Sequence, residues 1–250
     1  MKTGKNRLLL LAGTRDARVL AEKLAEVDGL EVIASLAGVT SKPKSYAVPV
    51  RRGGFGGAEG LAEFLRLEQI TCIVDATHPF ARVISANAVK AADLAQVPLL
   101  RVRRPAWQKK PGDDWRCFDQ LEKAVAALPQ AARVFAAIGR KELQLLQARP
   151  DLWLLTRMVE APTQGSMPFT GETVLGYPSC SVQQEAELLT AYGIQCLLAK
   201  NSGGSAAYAK IEAARNGGLP VYLVNQPTLP PVEEAASTSE AFNWVMRVCS

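Results

Sequence analysis

An α/β fold built as two lobes with parallel sheets is predicted by three observations. Short apolar runs of strand length alternate with stretches that carry apolar residues at helical spacing. Most runs are apolar at consecutive positions, which marks strands buried on both faces. The alternation restarts near residues 128–132, so 1–128 and 129–250 read as two similar units. Two such lobes are expected to leave a cleft outside the carboxyl ends of their strands, where ligands of open α/β sheets bind.

Each element follows from its residues. "RLLLLAG" is a buried strand, and "RDARVLAEKLAEV" then shows helical periodicity. "LEVIASLAG" is a second strand, and "YAVPVRRGGFGG" is a strand that ends in a glycine-rich loop. "AEGLAEFLRLEQ" is a helix, "ITCIVDAT" a strand, "FARVISANAVKAADLAQV" a helix and "PLLRVRRP" a strand. In the second half, "RVFAAIG" is a strand, "RKELQLLQA" a helix and "DLWLLTRMV" a strand. A loop rich in Pro, Gly and Thr spans 161–179. "SVQQEAELLTAYG" is helical, "IQCLLAK" a strand, "SAAYAKIEAARNG" a helix and "LPVYLVNQP" a strand. "STSEAFNWVMRV" closes as a helix capped by Ser237, Thr238 or Ser239.

Composition narrows the function classes. Hydrophobic residues make up 48% and charged residues 21%, as in a soluble, well-packed protein. Lys and Arg number 29 against 24 Asp and Glu, a net charge of +5 that suits an anionic small molecule. Arginines and lysines cluster at 101–104 and 109–110 beside Trp107 and Trp115, but no RNA-module signature accompanies them, so a nucleic-acid partner is not expected. The five cysteines are scattered, no C-x-x-C occurs, and one histidine does not complete the usual zinc sets, so no metal is expected. Cys72 and Cys196 sit in apolar runs as buried thiols. The apolar run at 8–12 is too short for a signal peptide or a membrane span, which points to a reduced, cytoplasmic protein.

Four loops carry candidate chemistry. In "LLLLAGTRD", Gly13 permits a tight turn, Thr14 supplies a hydroxyl, Arg15 a fork for phosphate, and the helix starting near Asp16 an anion-binding N-terminus. In "CLLAKNSGGSAAY", Lys200, Asn201, Ser202, Gly203 and Gly204 at a strand-to-helix junction read as an anion cradle. Gly139 and Arg140 occupy the same kind of junction. "RRGGFGG" sets four glycines around Phe55, either to clasp a flat ligand or as a surface loop. The end of the second strand, Ser35 to Thr40, lacks the acidic residue that holds a ribose 2′-hydroxyl, so a nicotinamide dinucleotide bound here is NADPH rather than NADH. "VDATHPF" holds His78, the only histidine, next to Asp75 and Thr77. His78 is either a general acid or part of a loop fixed by Asp75 or a backbone carbonyl, with Pro79 in the first turn of the following helix.

Taken together, "LAGTRDARVLAEKL", "RRGGFGG", "DATHPFARVISANA", "LLRVRRPAW", "AAIGRKEL" and "LLAKNSGGSAAYAKIEAARNGGLPVYLVNQP" resemble, in this order, the precorrin-6A reductase family of cobalamin biosynthesis, which includes cobalt-precorrin-6A reductases. The resemblance covers nearly the whole chain. It implies two Rossmann-like lobes, NADPH as cofactor, an anionic tetrapyrrole substrate, and reduction of one macrocycle double bond to give precorrin-6B. Neighbouring corrin-pathway enzymes are the partners it implies. Gly13, Thr14, Arg15 and Asp16 fall on the pyrophosphate side, Ser35, Gly38 and Thr40 near the adenosine ribose. Thr77, His78 and Pro79 contact the cofactor, and Lys200, Asn201, Ser202, Gly203 and Gly204 of the other lobe hold either cofactor phosphate or substrate carboxylate. Substrate carboxylates fall to Arg51, Arg52, Arg101, Arg103, Arg104 and Arg140. The chain departs from the family in two places: Ala12-Gly13-Thr14 replaces Gly-Gly-Thr, and "LGYPSCSVQQE" replaces a segment bearing Arg-Gly-Pro-Phe. The anion loops alone also fit a non-catalytic two-lobed nucleotide or anion sensor.

Overall fold

The computed structural model describes residues 6–38, 45–159, 169–205 and 207–249. The first elements are β1 (Asn6–Leu11), α1 (Arg15–Leu24), β2 (Leu30–Leu36), β3 (Val50–Arg52), α2 (Ala58–Leu67), β4 (Cys72–Asp75), α3 (Arg82–Ala95) and β5 (Leu99–Val102). There follow β6 (Trp115–Phe118), α4 (Leu121–Ala126), β7 (Arg133–Ala137), a 3₁₀ helix (Arg140–Ala148), β8 (Trp153–Met158), β9 (Gly171–Leu175) and α5 (Val182–Ala191). The last are β10 (Cys196–Lys200), α6 (Ala209–Asn216), β11 (Val221–Val224), β12 (Glu233–Ala235) and α7 (Thr238–Val248).

The chain forms two compact units, Met1–Arg104 with Pro227–Ser250, and Pro105–Gln226. Each contains a six-stranded sheet, ordered β12-β5-β4-β1-β2-β3 in the first and β6-β11-β10-β7-β8-β9 in the second. Every strand pairing is parallel. Counted from β1 and from β7, five strands follow the same order in both sheets; the sixth, β12 or β6, comes from the end of the chain in one and from before β7 in the other. Each reverses at one place, between β1 and β4 or between β7 and β10. That reversal is the switch point at which doubly wound sheets open a crevice beyond their strand ends.

Burial explains the strands. Leu8 and Leu10 enter the core on one face of the first sheet, and Leu9 and Leu11 the core on the other. In the second unit, Phe135, Leu197, Ala199 and Leu223 pack with α5 and α6 residues such as Leu189 and Ile211. Helix starts are local: Thr14, Ser181 and Ser237 cap α1, α5 and α7 by accepting from Ala17, Gln184 and Glu240 N–H.

Four expectations are corrected. The boundary at 128/129 does not separate the units. Trp115 of β6 pairs with Val221 in the second sheet, and Glu233 of β12 pairs with Leu100 in the first. Both are short edge strands with polar residues, and hydrophobic alternation marks elements without telling which sheet a terminal strand joins. The loop at 161–179 contains β9, whose "GETVL" is not a continuous apolar run. "RKELQLLQA" is a 3₁₀ rather than an α-helix, with Leu143 and Leu146 buried three residues apart. Pro79 does not begin α3: Pro79 and Phe80 form a turn, the Ala81 N–H donates to the His78 carbonyl (2.7 Å), and the helix starts at Arg82.

Candidate functional site

At the first switch point, the loops after β1 and β4 are joined by one buried residue. Thr14 Oγ1 accepts the Ala17 N–H (3.1 Å), capping α1, and donates to the Ala76 carbonyl (2.8 Å). Gly13, just before it, has φ +121°, and a Cβ built there meets nothing within 4 Å. Space is available, but the backbone conformation suits only glycine. The Gly13 N–H donates to Tyr46 Oη (3.1 Å). Arg15 is exposed at the first position of α1, where N–H groups lack intrahelical partners. Asp16 is paired with Arg104 (3.2 Å).

The loop after β4 hangs on Asp75, which is 1% exposed. Its Oδ1 accepts from both the N–H (3.1 Å) and Oγ1 (2.6 Å) of Thr77, and its Oδ2 faces Arg101 Nε at 3.6 Å. Arg101 is 3% exposed and also donates to the Pro230 carbonyl (2.9 Å) and to Glu234 (3.2 Å). Asp75 therefore fixes Thr77 and Arg101. The imidazole of His78 has a different orienting contact: its Nδ1 accepts the Phe80 N–H (3.3 Å). Neutral His78 in this arrangement carries its proton on Nε2. The side chain is exposed and Pro79 is buried.

At the end of β2, Ser35 is buried and its Oγ accepts from Arg51 (2.8 Å), its register partner on β3. The Arg51 guanidinium also donates to the Gly53 and Gly54 carbonyls and lies 3.8 Å from the centroid of the Phe55 ring. "RRGGFGG" thus folds over its own Arg51. A Cβ on Gly60 would stand 1.9 Å from the Phe55 carbonyl oxygen, so this packing requires glycine there. Gly38 has φ +76° and is exposed, as is Arg52. Thr40 lies outside the described residues.

The second switch point is built from different contacts. Lys200, the last residue of β10, is ion-paired with Glu142 of the 3₁₀ helix. The other oxygen of Glu142 accepts the Gly139 N–H (2.9 Å), so the helix caps itself. Asn201 is 5% exposed and clamps the backbone of Trp107: its Oδ1 accepts the Trp107 N–H (2.8 Å) and its Nδ2 donates to the Trp107 carbonyl (3.1 Å). Trp107 Nε1 donates to the Gly204 carbonyl (2.6 Å). Ser202 is buried, and Gly203 and Gly204 have φ near +67° and +66°. Among the described residues, no group of three His, Cys, Asp or Glu is placed to hold a metal ion.

Residues 7–246 match the family described as "Precorrin-6x reductase CbiJ/CobK". The chain belongs to the precorrin-6x reductase family. It is 41% identical to the precorrin-6A reductase of Rhodococcus erythropolis over 96% of this chain and 97% of that protein. It superposes on a solved CobK precorrin-6A reductase with a TM-score of 0.92 at 41% identity, covering 97% of each chain. The cobalt-precorrin-6A reductase of Priestia megaterium is more distant, 28% identical over 89% of this chain and 91% of that protein.

Several of the expected ligand residues have partners within the chain. Asn201 holds Trp107, Lys200 holds Glu142, Arg101 is buried against Asp75, and Arg51 is enclosed by its own loop. The cause is common to all four: sequence shows a polar side chain in or just after a strand but not the neighbour folded against it. Arg103 pairs with Glu234 (3.5 Å) and Arg104 with Asp16, while Arg140 is exposed at the start of the 3₁₀ helix. In place of an arginine before α5, the segment at 175–185 brings Ser179 N–H (3.0 Å) and Arg157 of β8 (2.6 Å) onto buried Glu185. Lys210 in the first turn of α6 is also buried. It donates to the Ala207 carbonyl (2.6 Å) and stands 5.4 Å from the Trp107 ring. Burial lowers its pKa to about 8, partly offset by Glu185. This cluster was missed because its members lie far apart in sequence and each reads as an ordinary surface charge.

Proposed function

We propose that this chain uses NADPH to reduce one double bond of metal-free precorrin-6A, giving precorrin-6B. The observation that carries this reading is the 41% identity across both full lengths to a precorrin-6A reductase, against 28% to a cobalt-precorrin-6A reductase. The cofactor supplies the hydride, and the protein supplies orientation and electrostatics.

The first unit fits the cofactor. Gly13 leaves open space at a positive φ, and the ten-residue helix α1 begins two residues later with exposed Arg15. A pyrophosphate is held there by backbone N–H groups, the helix end and the guanidinium. Gly38 and Ser35 border the adenosine ribose. Arg51 against Ser35, with Arg52 beside it, puts positive charge where NAD-specific folds carry an acid, which favours a 2′-phosphate. In this reading Arg51 serves the cofactor side rather than the substrate carboxylates. Thr77, His78 and Pro79 form the loop beside this site. His78 contacts the cofactor and shapes the loop; acting as the proton donor would require the doubly protonated imidazolium, whose Nδ1 no longer accepts the Phe80 N–H.

Purified protein assayed side by side with precorrin-6A and cobalt-precorrin-6A tests the reading. NADPH oxidation coupled to a change in the macrocycle spectrum is expected with the metal-free substrate, at least about tenfold faster than with the cobalt form. Tight NADPH binding without oxidation in the presence of either substrate would point to a sensor. A preference for the cobalt form would reverse the substrate assignment alone.

A further inference from the structure

We propose that Cys72 and Cys249 form a redox-addressed thiol pair that closes to a disulfide, stapling the end of α7 to the start of β4. The two Sγ atoms are 3.4 Å apart within the first unit. A disulfide requires about 2.05 Å, so closure needs an approach of about 1.4 Å, within reach of small side-chain and backbone adjustments. The pair is held in place from both sides. Cys72 is the first residue of β4 and fully buried. Cys249 caps α7, whose Ala241, Trp244 and Val245 are buried in the core, and its carbonyl accepts from Asn6 Nδ2 of β1.

The two thiols differ in access, which sets the order of reaction. Burial, reinforced by Cys249, pushes the Cys72 thiol well above its usual range, so it is not the first to react. Cys249 is half-buried and reachable from solvent. With glutathione disulfide as oxidant, the Cys249 thiolate attacks one of its sulfurs and releases one glutathione thiolate. Cys72 then loses its proton, and its sulfur attacks Cys249 Sγ, expelling the second glutathione. Two protein thiols are oxidised, and one glutathione disulfide is reduced to two glutathione molecules. Three residues along from Cys72, β4 ends in Asp75, so the staple fixes the opposite end of the strand that carries the Thr77–His78 loop.

The test uses the full chain, equilibrated in glutathione buffers of increasing oxidised fraction, then alkylated, digested and analysed by mass spectrometry. A peptide linking Cys72 to Cys249 is expected, with a thermal midpoint raised by about 4–12 °C. Both should disappear in Cys249→Ser, while the exposed Cys117 and Cys180 remain as glutathionylation controls. The proposal is overturned if Cys72 and Cys249 stay reduced in native protein whose Cys117 and Cys180 already carry glutathione. It is equally overturned if the link forms only in denaturant. The wild-type measurement stands by itself should Cys249→Ser fold poorly.

Discussion

At the first switch point, β1 runs through an open glycine into a ten-residue helix capped by Thr14. At the second, β7 runs into a 3₁₀ helix that caps its own N-terminus through Glu142, and the same carboxylate takes Lys200 from β10. The order of the five strands around each switch point is shared, yet the polar atoms are used differently. The first loop pair offers an exposed arginine, an open backbone and a helix end. The second turns the Lys200 ammonium onto the Glu142 carboxylate and the Asn201 amide onto the Trp107 backbone. Topology provides the position for a site, and the loops decide whether that position binds a ligand or serves as scaffold.

Reversing the charge at the first switch point and cutting the clamp at the second should have opposite consequences. Arg15→Glu is expected to weaken NADPH binding by about 30- to 100-fold, as an exposed charge reversal beside a phosphate should, with an unchanged unfolding midpoint. Asn201→Ala leaves the buried backbone of Trp107 without two partners. It should cost about 2–4 kcal/mol of stability in urea unfolding while shifting NADPH affinity less than about threefold. Exchanged outcomes would invert the comparison.

A finer division concerns Arg51 and Arg52. Replacing both with Met should reduce the preference for NADPH over NADH by about tenfold, read as the ratio of kcat/KM values. Arg51 also holds its loop, so Arg52→Met alone should give part of the change without loss of stability. His78→Ala should lower turnover by less than about tenfold with an unchanged pH profile. A loss of about a hundredfold or more would make His78 the general acid.

The smallest effect belongs to Lys210. Its pKa of about 8 lies below the usual lysine value, so the unfolded chain binds more protons than the folded one above pH 8. This lysine therefore makes stability rise with pH from about 8 towards its unfolded pKa of about 10.4. Urea unfolding of Lys210→Met should show a flatter pH dependence across that range.

The central strands and their helices were legible because nearly every inward position is apolar, as Leu8 to Leu11 illustrate. The two loop pairs were legible as strand-to-helix junctions. Three of the four edge strands were not: β6 reads "WRCF", β9 "GETVL" and β12 "EEA", and pairing to a distant neighbour makes them strands. Nor was the fate of the charges. Arg15 and Arg101 look alike in sequence, but one is exposed and the other buried on Asp75, a difference made by packing between residues far apart in the chain.

Hydrogen exchange of the full chain with and without NADPH tests the division between the switch points most directly. Added protection is expected at residues 13–17 and 77–80, with residues 200–204 unchanged. Protection at 200–204 with none at 13–17 would contradict the account and move the cofactor phosphates to the second unit.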